Sequence, residues 1–184
     1  MSPKDRPAAI RRALRDLVAE RGFHGASMSA VAEEAGVATG TAYVHYESKD
    51  ELVFDTYLEI KAGLASAVME NLDASADALD QWSHILKASN VYLSEEPERA
   101  RFLTQLEESP YYEEAHQRLV AAGDPLSDAG RNSDMFDLLI DLPWEVIYAL
   151  SLGVLVRLIA SGTQLKRDEL ETLVTATWRA VTLP

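Results

Sequence analysis

Residues Ser27 to Lys49, reading SMSAVAEEAGVATGTAYVHYESK, constrain the fold more than any other stretch. Ser27 stands as an N-cap before a short helix over Met28 to Ala35. Gly36 follows as a left-handed stop that lets the chain turn tightly. A second short helix spans about Thr39 to Tyr46. Ser48-Lys49-Asp50-Glu51 then reads as a capping box, serine at the N-cap and glutamate three residues on, and opens a long helix to about Leu72. The second short helix offers hydroxyls, a bare glycine, an aromatic and a histidine where a buried helix would offer leucines. A short helix with that polar face is what a DNA major groove accepts.

The rest of the chain also reads as helix. No run of alternating β-branched residues is long enough for a strand, so the expected class is all-α. A first helix is expected from Pro7 to Arg21, with Ile10, Leu14, Leu17 and Val18 on one face and Arg11 and Arg15 on another. Gly22 stops it, and Phe23 is expected to pack under the next helix. Further helices are expected over 76–94, 97–108 and 111–122, with Gly123-Asp124-Pro125 ending the last of these. The stretch 124–134 is rich in Ser, Asp, Gly and Asn and reads as the loosest part. Pro143 to Ser161 is apolar nearly all round and reads as one helix buried on every side. Asp168 to Leu183 is amphipathic, with Leu170, Leu173, Val174, Thr177, Trp178 and Val181 at helical spacing.

Charge divides the chain. The net charge of −13 argues against nucleic acid, but residues 1–49 carry seven Lys/Arg against six Asp/Glu, and the remainder carries ten against twenty-four. An acidic body would leave only the N-terminal face for DNA to approach. This asymmetry suggests two domains: 1–49 as a DNA-binding domain continuing into the helix at 48–72, and 50–184 as a helical ligand-binding and dimerisation domain. The chain has no cysteine, so disulfides and thiolate chemistry are excluded and a cytoplasmic location is expected. No signal peptide is read at the start. The most apolar stretch, Val146 to Val156, has 11 uncharged residues, against about 20 needed to span a bilayer, so a soluble protein is expected.

Residues 13–58 resemble the N-terminal domain of tetracycline-repressor-like (TetR) regulators. The matching residues are Ala13 and Leu17, then Ala19-Glu20-Arg21-Gly22-Phe23 and Ser27-Met28-Ser29-Ala30-Val31-Ala32. Ala35-Gly36-Val37, Gly40-Thr41-Ala42-Tyr43-Val44-His45-Tyr46 and Ser48-Lys49-Asp50-Glu51-Leu52 complete the pattern. The resemblance implies that Thr39, Gly40, Thr41 and Tyr43 lie at the groove-facing start of a recognition helix. It implies that Tyr43, His45, Tyr46 and Lys49 mostly hold phosphates, with Lys49 at the positive end of the fourth helix. Ser27 and Ser29 would touch the DNA backbone. Ala38 and Val44 have no polar reach, so base reading would lean on Thr39, thymine methyl contacts and DNA shape. Each residue also has a plainer reading: Thr39 as a helix cap, Tyr43 as a core aromatic, His45 packed on the first helix, Lys49 as a solvated lysine.

The resemblance further implies a small-molecule pocket in the C-terminal domain. Suitable linings are Trp82, Ile85, Leu86, Phe102, Leu106, Tyr111, Tyr112, His116, Phe136, Trp144 and Tyr148, although for any single one of them ordinary core packing is the stronger reading. The two last helices suggest a homodimer interface through Leu150, Val154, Leu158, Leu170, Val174 and Trp178, the alternative being a monomer core. No cofactor is expected. His24, His45, His84 and His116 are scattered, so no metal site is expected. No phosphate-cradling glycine loop or nucleophile elbow is present, so no enzyme is expected.

These features imply an all-helical, homodimeric transcriptional regulator, a repressor released by a small-molecule effector, with a double-stranded DNA operator of pseudo-palindromic form and no membrane. Two other classes stay open: a constitutive DNA-binding regulator without a ligand, and a helical dimerisation protein whose DNA face has decayed.

Overall fold

The computed structural model of the chain describes residues 5–124, 126 and 135–183. Among these residues there are ten α-helices and no strand, only an isolated bridge between Leu139 and Thr182. Most of the stretch 124–134 lies outside the described residues. The chain forms two compact units: Met1–Lys61 with Arg101–Ala122, and Ala62–Ala100 with Gly123–Pro184. The division expected at residues 49 and 50 rests on charge and resemblance, and compactness partitions the chain differently.

In the first unit, α1 (Arg6–Gly25) begins with Pro7 in its first turn, where a missing N–H costs nothing. Ile10, Ala13, Leu14, Leu17 and Val18 are buried along one face. The helix is interrupted at Gly22, which takes φ 70° and ψ 175° and so acts as the expected stop. α1 packs on α2 (Met28–Glu34) and α3 (Thr39–His45). The Ser27 hydroxyl caps α2 by accepting from the Ala30 N–H at 3.2 Å. Gly36 then takes φ +66° with open space around its Cα, so its demand is purely on the backbone. The chain continues into α4 (Lys49–Met69), whose Leu52, Val53, Phe54, Tyr57 and Ile60 are buried. α6 (Glu98–Glu107) contributes most of its length to this unit, and α7 (Tyr112–Ala122) all of it.

The second unit holds α5 (Ala78–Glu95), capped by the Asp77 carboxylate accepting from the Asp80 N–H at 2.8 Å. It also holds α8 (Trp144–Leu150), α9 (Leu152–Ala160) and α10 (Arg167–Val181). α9 and α10 each pack on α5 and on α8. Trp82 and Thr177 are buried together, the indole N–H donating to the threonine hydroxyl at 3.1 Å.

The single helix expected over Pro143 to Ser161 is two helices. Ser151 leaves the helical region at φ −127°, ψ −101°, and its hydroxyl donates to the Ile147 carbonyl at 2.6 Å. Gly153 permits the fold-back: a Cβ there would lie 2.9 Å from the Tyr148 carbonyl oxygen. Nor is this segment buried on every side, since Trp144, Val146 and Leu150 are exposed. A second correction concerns Phe23. Its ring meets Phe102 edge-on at 5.6 Å and Tyr111 at 5.1 Å, so it packs toward α6 and the start of α7.

Candidate nucleic-acid interface

α3 buries only Ala42. The Val37 N–H donates to the Ala32 carbonyl at 2.9 Å, closing the turn between α2 and α3. On α3, Thr39, Gly40, Tyr43, Val44 and His45 are exposed, and Thr41 is half-buried. Tyr43 is 53 % exposed and Val44 81 %, unusual values for large apolar groups on a packed helix. Gly40 has nothing within 4 Å of where a Cβ would stand, leaving backbone open to a groove. Ser27 and Ser29 are exposed at the start of α2, with their hydroxyls 3.0 Å apart. Thr39 does not cap α3; the N-cap is Ala38, whose side chain offers no hydrogen bond. Thr39 is instead exposed in the first turn of α3.

Tyr46 does not share this face. It is 5 % exposed, and its hydroxyl accepts from Arg11 at 2.8 Å and donates to the Pro7 carbonyl at 3.4 Å. Burial raises the phenol pKa, with Arg11 opposing. The expected phosphate contact is thus an internal brace at the end of α3. Arg11 is spent in the same network, its other amino group donating to Glu59 at 2.8 Å. That charged hydrogen bond is the largest cause of the rise in the Arg11 pKa. Arg15 is buried and Arg11 half-buried, so the α1 face that carries both arginines is not an open one.

Lys49 is half-buried, and its ammonium donates to the Phe23 carbonyl. Burial lowers its pKa. Two of its three N–H groups remain for a phosphate. The expected capping box is only half built. The Ser48 hydroxyl accepts from the Glu51 N–H at 3.2 Å, but the Glu51 carboxylate is taken by Arg118 of α7. Gln105 of α6 donates to the Val18 carbonyl at 2.8 Å, a carbonyl near the Gly22 break in α1.

Arg11, Gln105 and Arg118 were missed by sequence reasoning. Their partners lie 35, 87 and 67 residues away, beyond any helical period or capping spacing.

The candidate pocket residues do not fall in one unit. Phe102, Leu106, Tyr111, Tyr112 and His116 belong to the first, and Trp82, Ile85, Leu86, Phe136, Trp144 and Tyr148 to the second. Leu86, Phe102 and Leu106 are fully buried core, Trp82 nearly so. Tyr112 stacks on His116 at 5.8 Å, and Phe136 on Trp144 at 5.6 Å. An open depression of about 340 Å³ in the second unit is lined by other, mostly polar residues, among them Asn71, Asp73, Asp80, Gln81 and Lys87. Of the proposed dimer residues, Leu150 is exposed, and Val154, Leu158, Leu170 and Trp178 are half-buried. Val174 is 3 % exposed within the single chain and packs inward. Trp178 tilts against Trp82 at 5.8 Å.

Among the described residues no helix is long and apolar enough to cross a membrane. No group of three or more metal-ligating side chains could hold an ion there.

Residues 10–56 match the family described as bacterial regulatory proteins, tetR family. A Haemophilus influenzae protein named an uncharacterized HTH-type transcriptional regulator is 25 % identical over 169 residues, covering 90 % of this chain and 89 % of its own length. The fatty acid metabolism regulator protein of Bacillus subtilis is 26 % identical over 92 residues, half of this chain and 47 % of that protein. The crystal structure of a TetR-family transcriptional regulator from H. influenzae superposes with a TM-score of 0.80 at 24 % identity, covering 98 % of each chain.

Proposed function

The chain belongs to the tetR family of bacterial regulatory proteins, and we propose on that premise that it is a ligand-responsive repressor working as a homodimer. The observation that carries the reading is the outward face of α3. Thr39, Gly40, Tyr43, Val44 and His45 stand exposed on a helix anchored by Ala42. In this reading Thr39 meets base edges, Tyr43 and His45 hold phosphates, and Lys49, Ser27 and Ser29 add backbone contacts. Two copies of α3 would enter successive major grooves about 34–36 Å apart on a pseudo-palindromic operator.

The signal would reach the reader through α4. It is one uninterrupted helix, starting among residues of the first unit and ending among those of the second. An effector that favours one placement of α4 shifts operator affinity only by its differential affinity for the two states, typically about 5- to 150-fold. Fatty acids belong in the first effector screen, because the B. subtilis relative is named for their metabolism.

The experiment is a salt titration of binding to duplexes taken from DNA upstream of its own coding sequence, against a random-sequence duplex. Specific, salt-dependent binding is expected. Equal, weak binding to both duplexes would overturn the reading. Operator binding with no effector found by thermal shift would favour constitutive regulation instead.

A further inference from the structure

We infer that Arg118 is a positioning residue for the DNA reader, holding the first turn of α4 through Glu51. The inference rests on the reading of α3 as the DNA-contacting helix. Arg118 lies on α7, and its guanidinium forks onto Glu51: Nη1 donates to Oε2 at 2.8 Å and Nη2 to Oε1 at 2.9 Å. Glu114, one turn earlier on α7, accepts from Nε at 3.2 Å and from Nη2 at 2.7 Å. The guanidinium carbon lies 4.1 Å from the centre of the Phe54 ring. Four donor contacts to two carboxylates leave this cation little capacity for a phosphate. It acts on protein, not on DNA.

What it holds matters because of the short connection to α3. α3 ends at His45 and α4 begins at Lys49, so three residues join them. Three residues span at most about 11 Å, too little slack to uncouple the helices. Tyr46, the first of the three, is already braced by Arg11. Where the first turn of α4 sits therefore helps set how α3 is presented. Below the clasp, Phe54 meets Tyr111 at 6.2 Å, and Tyr111 meets Phe23 at 5.1 Å. Phe23 in turn supplies the carbonyl that Lys49 holds. The clasp thus closes a cluster that grips both sides of the α3–α4 connection. An isolated exposed ion pair is worth little, but a bidentate fork shared by two carboxylates over an aromatic ring is the exception.

Two variants separate positioning from other roles. Arg118→Gln removes the fork. Glu51→Gln removes the charge on the partner yet keeps a residue that can complete the capping box with Ser48, so the helix start survives. The tightest-binding duplex from a randomised library and a random-sequence duplex serve as probes. Each variant should weaken the selected duplex roughly 5- to 20-fold, and the double variant should be no weaker than the poorer single. Random-sequence binding and the salt slope should match wild type. Amide exchange across residues 39–52 reads the same coupling without DNA and should quicken in both variants. A salt slope flattened by about one unit in Arg118→Gln would make Arg118 a phosphate contact and overturn the inference. So would a lower melting temperature with unchanged selected-duplex affinity and unchanged exchange, which would mark a merely structural pair. If wild-type protein selects no duplex, the DNA-binding reading fails, and exchange alone decides the clasp.

Discussion

The Tyr46 hydroxyl accepts a hydrogen bond from the Arg11 guanidinium at 2.8 Å, tying the residue just after α3 to the first turns of α1. The bond crosses 35 residues of sequence, and Tyr46 is buried away from the exposed face of α3. Tyr46→Phe keeps the ring and deletes the bond. It should cost about 1 kcal/mol of stability, since the other Arg11 amino group keeps Glu59. Urea unfolding measures that cost. Because no phosphate contact is lost, the salt slope of DNA binding should stay at the wild-type value.

Lys49 should behave differently. With one N–H on the Phe23 carbonyl and two remaining, it can hold a phosphate while braced. Lys49→Ala should weaken binding similarly on all duplexes and flatten the salt slope by about one unit. A change confined to one base position would contradict that role.

The clasp on α4 has an acid limit. The Arg118 guanidinium holds the Glu51 carboxyl below its ordinary value of 4.5. A carboxylate depressed on folding contributes stability above its unfolded pKa, and loses it as pH falls through the folded one. The melting temperature of wild type should therefore exceed that of Glu51→Gln near neutral pH. The gap should shrink as the pH drops below 4.5. A gap constant across that window would show that Glu51 gains nothing from its charge.

In the second unit, Gly153→Ala places a methyl 2.9 Å from the Tyr148 carbonyl oxygen and 3.3 Å from its ring. The backbone must shift, at about 1–3 kcal/mol. Denaturant unfolding should show this loss. A neutral result would mean that α8 and α9 adjust their junction at little cost.

What could be read from the chain alone was local. Ser27, Gly36 and Ser48 announce their roles within three or four residues, because capping and left-handed turns are short-range physics. The ends of α2 and α3 followed from them. The burial of Tyr46 did not, because a tyrosine after a recognition helix looks the same whether its hydroxyl meets DNA or an arginine on another helix. The capping box misled for the same reason: the spacing of Ser48 and Glu51 is right, but a guanidinium 67 residues away outcompetes the backbone N–H. Hydropathy saw the apolar run from Val146 to Val156 and not the break at Ser151, since a serine and a glycine scarcely alter an average. Phe102 and Leu106 illustrate the limit for pockets. Apolar side chains that fill a core and those that line a cavity have the same chemistry, and only packing separates them.

Val44 is 81 % exposed in the last turn of α3, beside a Tyr43 that is more than half exposed. If this face docks in a groove, that apolar surface is dehydrated on every binding event. The heat capacity of association should then be negative, so a van 't Hoff plot of operator binding will be curved rather than straight. The regulator would have its tightest grip at one temperature and loosen on either side of it. Replacing Val44 with serine should lessen that curvature, because less apolar surface would then be dehydrated on binding.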